Sequence, residues 1–388
     1  MYLLNLLRRY RNIFDDPSKR LLRIQIDSGA LVNNIQRFRA LFPKYYFAAV
    51  LKSNAYGHGL KEIGRFLEKR SEVDYLVVDS IIEAKTLRDF GIKKPVIILG
   101  YVPKAAISSL RKIRNVIFVI NSKEQAELLQ TVVDFKLRVH IKVDTGMNRQ
   151  GIDINELEHT LKVLSLNKHI LIEGMISHLA DADGPTGYHT HEQIEQWKKA
   201  MAIYKQQVSG YEKEKGIFHF AATAGARYVS TAENNLIRVG IGLYGFDTTQ
   251  DKQLKVTPVL SFWAKIINIK EVKAGEKIGY NFTFTASKDM RIAVIPCGYY
   301  EGVPRSLSNK GKFYFNGNPL PILGRVSMNL TVVDISDVKA PINLEDEVEV
   351  YSTDVKKDNS VENVAKLCDT IPYEILVRLA PTIKRTIK

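Results

Sequence analysis

The chain has 388 residues, of which 45% are hydrophobic and 25% are charged, a composition typical of a globular protein with room for two cores. This excludes a disordered or fibrous protein. No apolar stretch approaches the ~20 residues that a membrane-spanning helix needs, so we expect no integral membrane segment. Two cysteines cannot form a disulfide framework, and the opening MYLLNLLRRYR lacks the order of a secretory signal. These features predict a cytoplasmic protein.

The net charge of +14 raises the question of a nucleic-acid partner. Lysines and arginines are interleaved with 42 acidic residues, and neither a long basic block nor a nucleic-acid-binding motif is present. The charge distribution therefore indicates a basic, solvated surface, and we expect no nucleic-acid partner.

Residues 1–22 are predicted to form an N-terminal extension. Leu3, Leu6, Leu7 and Tyr10 follow helical spacing, with arginines between them. This pattern is typical both of a helix that packs at a subunit surface and of a helix that lies on a membrane. It favours the first.

Residues 23–250 alternate short apolar runs with amphipathic stretches such as LVNNIQRFRALF. The runs are RIQID (23–27), FAAVLK (47–52), YLVVDS (75–80), VIILG (96–100), IFVI (117–120), RVHIKVDTG (138–146), IEGMISH (172–178), FHFAAT (218–223) and LIRVGIGLYG (236–245). Strand and helix in repeated alternation are typical of a parallel sheet with helical crossovers. The repeat favours an α/β fold, an N-terminal (β/α)₈ TIM barrel, and an open doubly wound sheet is the alternative.

Residues 251–388 have a different sequence pattern. Runs such as SFWAKIINIKEV and RIAVIPCGY are β-branched and aromatic, and Gly, Asn and Pro turns separate them. This pattern predicts a C-terminal, mainly antiparallel β domain.

Reactive residues stand at the ends of several predicted barrel strands: Lys52, His178, Thr223, Arg238 and Gly240. The carboxyl ends of parallel strands converge on one opening, so we expect these residues to meet there. A lysine at such an opening forms a Schiff base when burial or nearby cations free its amine. A carbonyl cofactor is the corresponding expectation.

Seven motifs carry a family resemblance. They are AAVLKSNAYGHG (48–59), KVDTGMNRQG (142–151), IRVGIGLYG (237–245), GYNFTF (279–284), IPCGYYEGVPR (295–305), PILGRVSMN (321–329) and TIPYEIL (370–376). In this order they resemble the alanine racemases, and the resemblance spans nearly the whole chain after residue 22.

The resemblance implies an enzyme that depends on pyridoxal 5′-phosphate (PLP), interconverts L- and D-alanine and works as a head-to-tail homodimer. Lys52 resembles the lysine that holds PLP covalently and also moves the α-proton. Tyr280 resembles the second acid/base group, supplied by the partner subunit. Removing a proton from one face of Cα and returning one to the other requires a group on each face. The implied physiological role is supplying D-alanine for peptidoglycan.

The remaining site residues are also assigned through the resemblance. Arg238 resembles the residue that faces the pyridine nitrogen, and His178 the imidazole that orients it. The set matching a phosphate site comprises Tyr56, Thr223, Gly240, Ile241 and Tyr373. Arg149 and the Met328 backbone resemble the clamp for the substrate carboxylate. Lys142 matches a lysine often carried as a carbamate, and Tyr299 resembles an entrance residue.

Three residues depart from the family pattern. Ala222 and Asn329 stand where asparagine and aspartate are usual, and Glu301 replaces a usual aspartate. The changes leave the cofactor residues intact but leave the preferred amino acid open, so a broader or serine-preferring racemase is an alternative.

The residues also allow three other interpretations. GIGLYG (240–245) satisfies G-x-G-x-x-G, the dinucleotide fingerprint, but no helical pattern follows it. A metal site is conceivable from the cluster His178, Asp181, Asp183, His189 and His191. A non-catalytic PLP-binding protein would share the barrel but lack the second domain. We expect no metal.

Overall fold

The computed structural model describes residues 19–184, 186–208, 216–249 and 251–388. Contacts divide the chain into two compact units. One is formed by Gly29–Thr257, and the other by the segment up to Ser28 together with Pro258–Lys388. Most of the helix predicted within residues 1–22 falls on residues 1–18, outside the described residues.

The first unit is built on an eight-stranded sheet in which every ladder is parallel. Its strands, in spatial order, are Ile217–His219, Ile170–Ile176, Leu137–Lys142, Val116–Ile120, Val96–Ile98, Tyr75–Val78, Tyr46–Val50 and Leu236–Val239. The first and last of these approach each other, because Asn235 N donates to Phe218 O at 2.9 Å and Arg238 N to Ala221 O at 3.1 Å. This nearly closed arrangement confirms the predicted barrel and excludes the open doubly wound sheet.

Helices connect the barrel strands. They are Ser28–Leu41, Leu60–Glu68, Ile81–Asp89, Ile107–Leu110, Lys123–Val132, Ile154–Ser165 and Tyr188–Gln207, and the short segment Lys52–Tyr56 is a turn with left-handed backbone. Some begin with side-chain caps: Ser80 and Glu83 form a reciprocal capping box, and Ser122 accepts from Gln125 N. The strand Val116–Ile120 is buried throughout, as expected for a parallel strand covered on both faces.

The second unit contains a nine-stranded sheet. Its strands, in spatial order, are Asn268–Val272, Met290–Ile295, Thr331–Asp334, Asn318–Leu323, Lys312–Phe315, Glu347–Tyr351, Leu260–Lys265, Leu22–Ile26 and Arg385–Ile387. Only the last two pair in parallel, so the predicted antiparallel β domain is confirmed. The helices Val361–Leu367 and Pro372–Val377 lie in the same unit.

One predicted barrel strand lies in the other sheet. The sequence pattern predicts the run 23–27 as a barrel strand, whereas the strand Leu22–Ile26 pairs antiparallel with Leu260–Lys265 in the β domain. Arg23 and Gln25 alternate with the buried Ile24 and Ile26, and such alternation is typical of a strand with one face in water.

A short hairpin, Lys277–Ile278 paired with Phe284–Thr285, positions Tyr280. Ile278 is buried in an apolar cluster with Val272 and Leu323, among others. Tyr280 lies in the turn of the hairpin, which is reached through Gly279 at φ 77°. The apolar cluster therefore fixes the hairpin while its turn remains exposed.

Candidate active site

The carboxyl ends of the barrel strands bring several basic residues together. Lys142 ends the strand Leu137–Lys142, and its pKa is lowered to about 8, chiefly by burial and then by the charges of Arg149 and Arg238. Lys52 also contributes to this lowering. These four predicted site residues therefore share one electrostatic environment.

Lys52 is followed by a strained turn. Ser53, Asn54, Ala55 and Tyr56 all have φ between 53° and 56°, the left-handed region that side chains with a Cβ disfavour. Ser53 N donates to Glu83 Oε1 at 2.7 Å and Leu60 N to Asn54 Oδ1 at 2.9 Å. Such a run of left-handed residues persists only where its surroundings enforce it, and it is a frequent mark of functional sites.

Thr223 and Gly240 form a tight cradle with Tyr56. The Thr223 hydroxyl accepts from Gly240 N at 3.2 Å and from Gly242 N at 3.3 Å. A Cβ on Gly240 would lie 2.6 Å from the Tyr56 hydroxyl, so a larger residue at position 240 would displace the Tyr56 side chain. Ile241 follows in the same buried segment. Hydroxyls and backbone N–H groups converge here, as a phosphate group requires.

Arg238 is buried beside this cradle with only neutral partners. Its Nη atoms donate to five acceptors: His219 Nδ1 and O, Ser177 O, His178 Nδ1 and Phe220 O. No acidic residue pairs with it among the described residues, and none of these bonds uses Nε. Burial lowers the pKa of Arg238 to about 9, so the group remains a cation and a donor near neutral pH.

The histidine partners of Arg238 have defined tautomers. Arginine can only donate, so His219 Nδ1 is an acceptor and the proton of neutral His219 lies on Nε2. His219 Nε2 then donates to His140 Nδ1 at 2.9 Å, which leaves the proton of His140 on Nε2, buried and with no hydrogen-bond partner among the described residues. Burial lowers the pKa of His140 to about 3 and that of His219 well below its usual value.

His178 lies on the other side of Arg238. Its Nδ1 accepts from Arg238 Nη2 at 3.2 Å. Burial and then the charge of Arg238 lower its pKa to about 3, so the ring is neutral. The structure thus places His178 where it can orient Arg238.

His140 and His219 are not among the site residues that the sequence predicts. Both are fully buried polar residues in otherwise apolar strands, RVHIK and FHF, and that contrast was the available signal. Spacing could not show that the two rings meet, since 79 residues separate them.

Arg149 lies on an ordered loop. Asp144 Oδ1 accepts from the backbone N–H groups of Gly146, Met147 and Asn148 at 2.9 to 3.1 Å. A Cβ on Gly151 would lie 2.5 Å from Asp144 N, so the loop closes tightly on itself. Arg149 is exposed near its tip, and Lys142 Nζ donates to Gln150 Oε1 at 3.2 Å.

The β-domain candidates are far more exposed. Tyr280 is 68% exposed, Met328 56% and Tyr299 44%. Tyr373 lies half-buried in the first turn of the helix Pro372–Val377.

The alternative interpretations lack support. Among the described residues, no group of three or more His, Cys, Asp and Glu could hold a metal ion. His189 and His191 lie on the helix Tyr188–Gln207, where residues two apart point in different directions.

A dinucleotide site would require a helix directly after GIGLYG, but residues 246–249 are not helical. In the described part of the chain no helix is long and apolar enough to cross a bilayer.

The chain matches two family descriptions: residues 26–248 match "Alanine racemase, N-terminal domain" and residues 259–387 match "Alanine racemase, C-terminal domain". An alanine racemase of Syntrophobacter fumaroxidans is 35% identical over 357 residues, which cover 91% of this chain and 93% of the relative.

Solved structures of alanine racemases are also similar to this chain. Alanine racemase of Clostridium difficile 630 superposes with a TM-score of 0.87 at 29% identity, covering 95% of this chain and 96% of the other. Alanine racemase of Bartonella henselae, a structure with covalently bound pyridoxal phosphate, superposes with a TM-score of 0.83 at 28% identity, covering 95% and 100%.

Proposed function

The chain belongs to the alanine racemase family, and from this premise we propose that it interconverts L- and D-alanine with PLP as its cofactor, using Lys52 and Tyr280 of the partner subunit as acid/base groups. The family resemblance inferred from the seven motifs is thereby confirmed. The observation that carries the proposal is the presence, at one end of the barrel, of the Lys52 amine, the buried Arg238 and the Thr223–Gly240 cradle.

The residues present fit PLP. The Lys52 amine would hold it covalently. The phosphate would be held by Tyr56, Thr223 and the backbone at Gly240 and Ile241, with Tyr373 added from the β domain. Arg238 Nε, which takes part in none of the five hydrogen bonds of that guanidinium, would donate to the ring nitrogen. When bound, PLP withdraws electrons from the α-carbon of an amino acid and makes its proton labile.

The acid/base groups follow from the need to serve both faces of the α-carbon. Lys52 Nζ would take or give the α-proton on one face, and the Tyr280 hydroxyl of the partner subunit on the other. Tyr280 is exposed within its own chain, as a residue that serves a neighbouring site would be.

Arg238 limits the chemistry to proton transfer. Because an arginine donates a hydrogen bond without giving up its proton, Arg238 would leave the ring nitrogen of bound PLP unprotonated. A neutral ring would be a weaker electron sink, which would disfavour side reactions such as transamination. The neutral His178 and His219 rings fix the guanidinium in this orientation.

The substrate carboxylate would be held by Arg149 and the Met328 backbone, since a guanidinium matches a carboxylate in shape and charge. Lys142, carried as a carbamate, would supply an anion that orients Arg149. Tyr299 would line the entrance.

The test of the function is exchange of the α-proton of each alanine enantiomer with deuterated solvent. The PLP-loaded protein should exchange both and racemise them, and Lys52→Ala should abolish the reaction. Lys85→Ala, at an exposed lysine paired with Asp89, is the matched control and should retain full activity. Failure of the loaded wild-type protein to exchange either enantiomer would refute the function.

The shared site has its own test. When Lys52→Ala and Tyr280→Phe chains are dissociated, mixed and reassociated, hybrid dimers regain one intact site. Random pairing then restores about a quarter of the wild-type sites. Mixed chains no more active than either parent would remove the partner-subunit role of Tyr280.

Substrate preference stays a proposal because Ala222 replaces a usual asparagine beside the cofactor residues. Comparison of kcat/KM for alanine and serine separates an alanine racemase from a broader or serine-preferring one. We further propose that the reaction takes place in the cytoplasm and supplies D-alanine for peptidoglycan.

A further inference from the structure

Two of the residues that depart from the family pattern contact each other. Asn329 Nδ2 donates to Glu301 Oε1 at 2.8 Å. A carboxylate only accepts, and an amide nitrogen only donates, so the two are matched. An aspartate at position 329 would instead place two carboxylates within hydrogen-bond distance, which raises the pKa of one or drives the pair apart.

The other oxygen of the same carboxylate binds within its own turn, residues 297–303, where Glu301 Oε2 accepts from Gly298 N at 2.8 Å. Through its two oxygens Glu301 therefore joins this turn to the turn of residues 326–330. The two turns touch closely, since a Cβ on Gly298 would lie 2.1 Å from Ser327 O.

The joined turns carry two proposed substrate residues. Tyr299 N donates to Ser327 O at 3.1 Å, and Tyr300 N donates to Met328 O at 3.0 Å. Movement of either turn would therefore shift both the Tyr299 ring and the Met328 backbone.

Glu301 has no cationic partner to hold it. It is 7% exposed and forms no ion pair within the described parts of the chain. The pKa of the neighbouring Cys297 thiol is raised well above its usual value, first by burial and then by the charge of Glu301. A buried carboxylate that depends on neutral donors is sensitive to the loss of one of them.

We propose that Glu301 and Asn329 form a coupled positioning pair that sets Tyr299 and the Met328 backbone for the substrate carboxylate. The pair touches neither substrate nor cofactor, and it deepens the proposed function, on which it rests. The two residues are matched in this chain, because the Glu301 carboxylate accepts the hydrogen bond that the Asn329 amide donates.

The test exchanges the carboxylate at position 301 and the amide at position 329 in the PLP-loaded, full-length enzyme. Asn329→Asp should raise KM for both alanine enantiomers about tenfold, the effect of one lost charge-assisted hydrogen bond, with kcat changed less than about threefold. Glu301→Gln should have little effect, because Asn329 can turn its oxygen toward the new amide. In the double variant E301Q/N329D the amide nitrogen of residue 301 donates to the carboxylate of residue 329, while its amide oxygen still accepts from Gly298 N. KM should then return to within about threefold of wild type.

Two further measurements keep the proposal falsifiable. Asn268→Asp adds the same charge at an exposed β-domain position and should leave KM unchanged. Amide hydrogen exchange at Tyr299 and Tyr300 should be faster in Asn329→Asp and restored in the double variant. If Asn329→Asp does not fold, recovery of soluble enzyme by the added Glu301→Gln is the expected result.

A KM in the double variant equal to that of Asn329→Asp, or an Asn329→Asp enzyme with wild-type KM, would overturn the pair. This outcome differs from failure of the proposed function, in which the wild-type enzyme itself would not racemise alanine. The exchange rates at Tyr299 and Tyr300 report on the pair in either case.

Discussion

Within one chain, the proposed site residues of the barrel are buried and hydrogen-bonded, whereas those of the β domain are exposed. Arg238 is 3% exposed, and its Nη atoms are hydrogen-bonded; Thr223 holds the Gly240 backbone. Tyr280 and Met328 are more than half exposed. The barrel therefore builds its half of the proposed site alone, whereas the β domain presents side chains that we expect a second copy to cover.

The buried site residues of the barrel also include features that lower the stability of the fold. A buried cation without an acid and a run of left-handed residues both lower stability, and they persist where function requires them. The difference between the two halves can be tested by changing one feature of each.

The largest effect on the reaction rate is expected at Tyr280, among the exposed residues of the β domain. Tyr280→Phe should slow proton abstraction from L-alanine by ~10²- to 10⁴-fold, the usual contribution of one acid/base group, and abstraction from D-alanine much less. Single-turnover measurements with each enantiomer give the two rates. Tyr314→Phe, on the β-domain strand Lys312–Phe315, is the matched control. Equal losses for the two enantiomers would contradict the assignment of Tyr280 to one face.

The second prediction concerns the buried histidines of the barrel and the dependence of its stability on pH. All eight histidines of the chain lie between His58 and His219, so the β domain has none. His140 and His178 have native pKa values of about 3, below the ~6.5 of an unfolded histidine. Between these values the unfolded state binds protons that the native state does not. Each histidine should therefore remove about 1.4 kcal/mol of stability per pH unit as the pH falls below ~6.5.

This loss should be confined to the barrel. Hydrogen exchange at about pH 5 compared with about pH 7.5 should show weakened protection in the barrel strands and little change in the β-domain strands. His140→Asn, whose oxygen can accept from His219 Nε2, should reduce the loss by roughly 2 kcal/mol at pH ~5. Equal loss of protection in the two units would show that the buried histidines are not its cause.

The same contrast explains how much could be predicted. The alternation of apolar runs and helices predicted the barrel, and the motifs assigned Lys52 and Arg238 to the site, an assignment that stays a prediction. The strand Leu22–Ile26 was placed in the wrong sheet because its partner, Leu260–Lys265, lies far away along the chain. The His140–His219 contact and the Glu301–Asn329 bond are likewise long-range, so no local pattern could indicate them.

A smaller effect is expected at Lys142, on the border of the buried cluster. Its pKa of about 8 leaves much of the amine neutral at slightly alkaline pH, the form that reacts with carbon dioxide. Equilibration with ¹³C-bicarbonate should give a carbamate NMR signal that Lys142→Arg removes, with kcat/KM about tenfold lower because Arg149 loses an anionic partner. Lys162→Arg, at an exposed lysine paired with Glu158, should change neither. Absence of the signal in wild type would leave Gln150 as the partner of Lys142.

The smallest effect isolates backbone strain. Ser53 is exposed at φ 56°, and its N–H, which Glu83 accepts, does not depend on the side chain. Ser53→Gly should therefore raise the free energy of unfolding by ~0.5–1 kcal/mol, because glycine adopts this conformation without steric strain. Ser109→Gly, at an exposed position in the helix Ile107–Leu110, should lower it by a similar amount, since glycine weakens a helix. Urea unfolding of both variants gives the sign. If both are destabilised, the left-handed turn after Lys52 carries no strain that glycine can relieve.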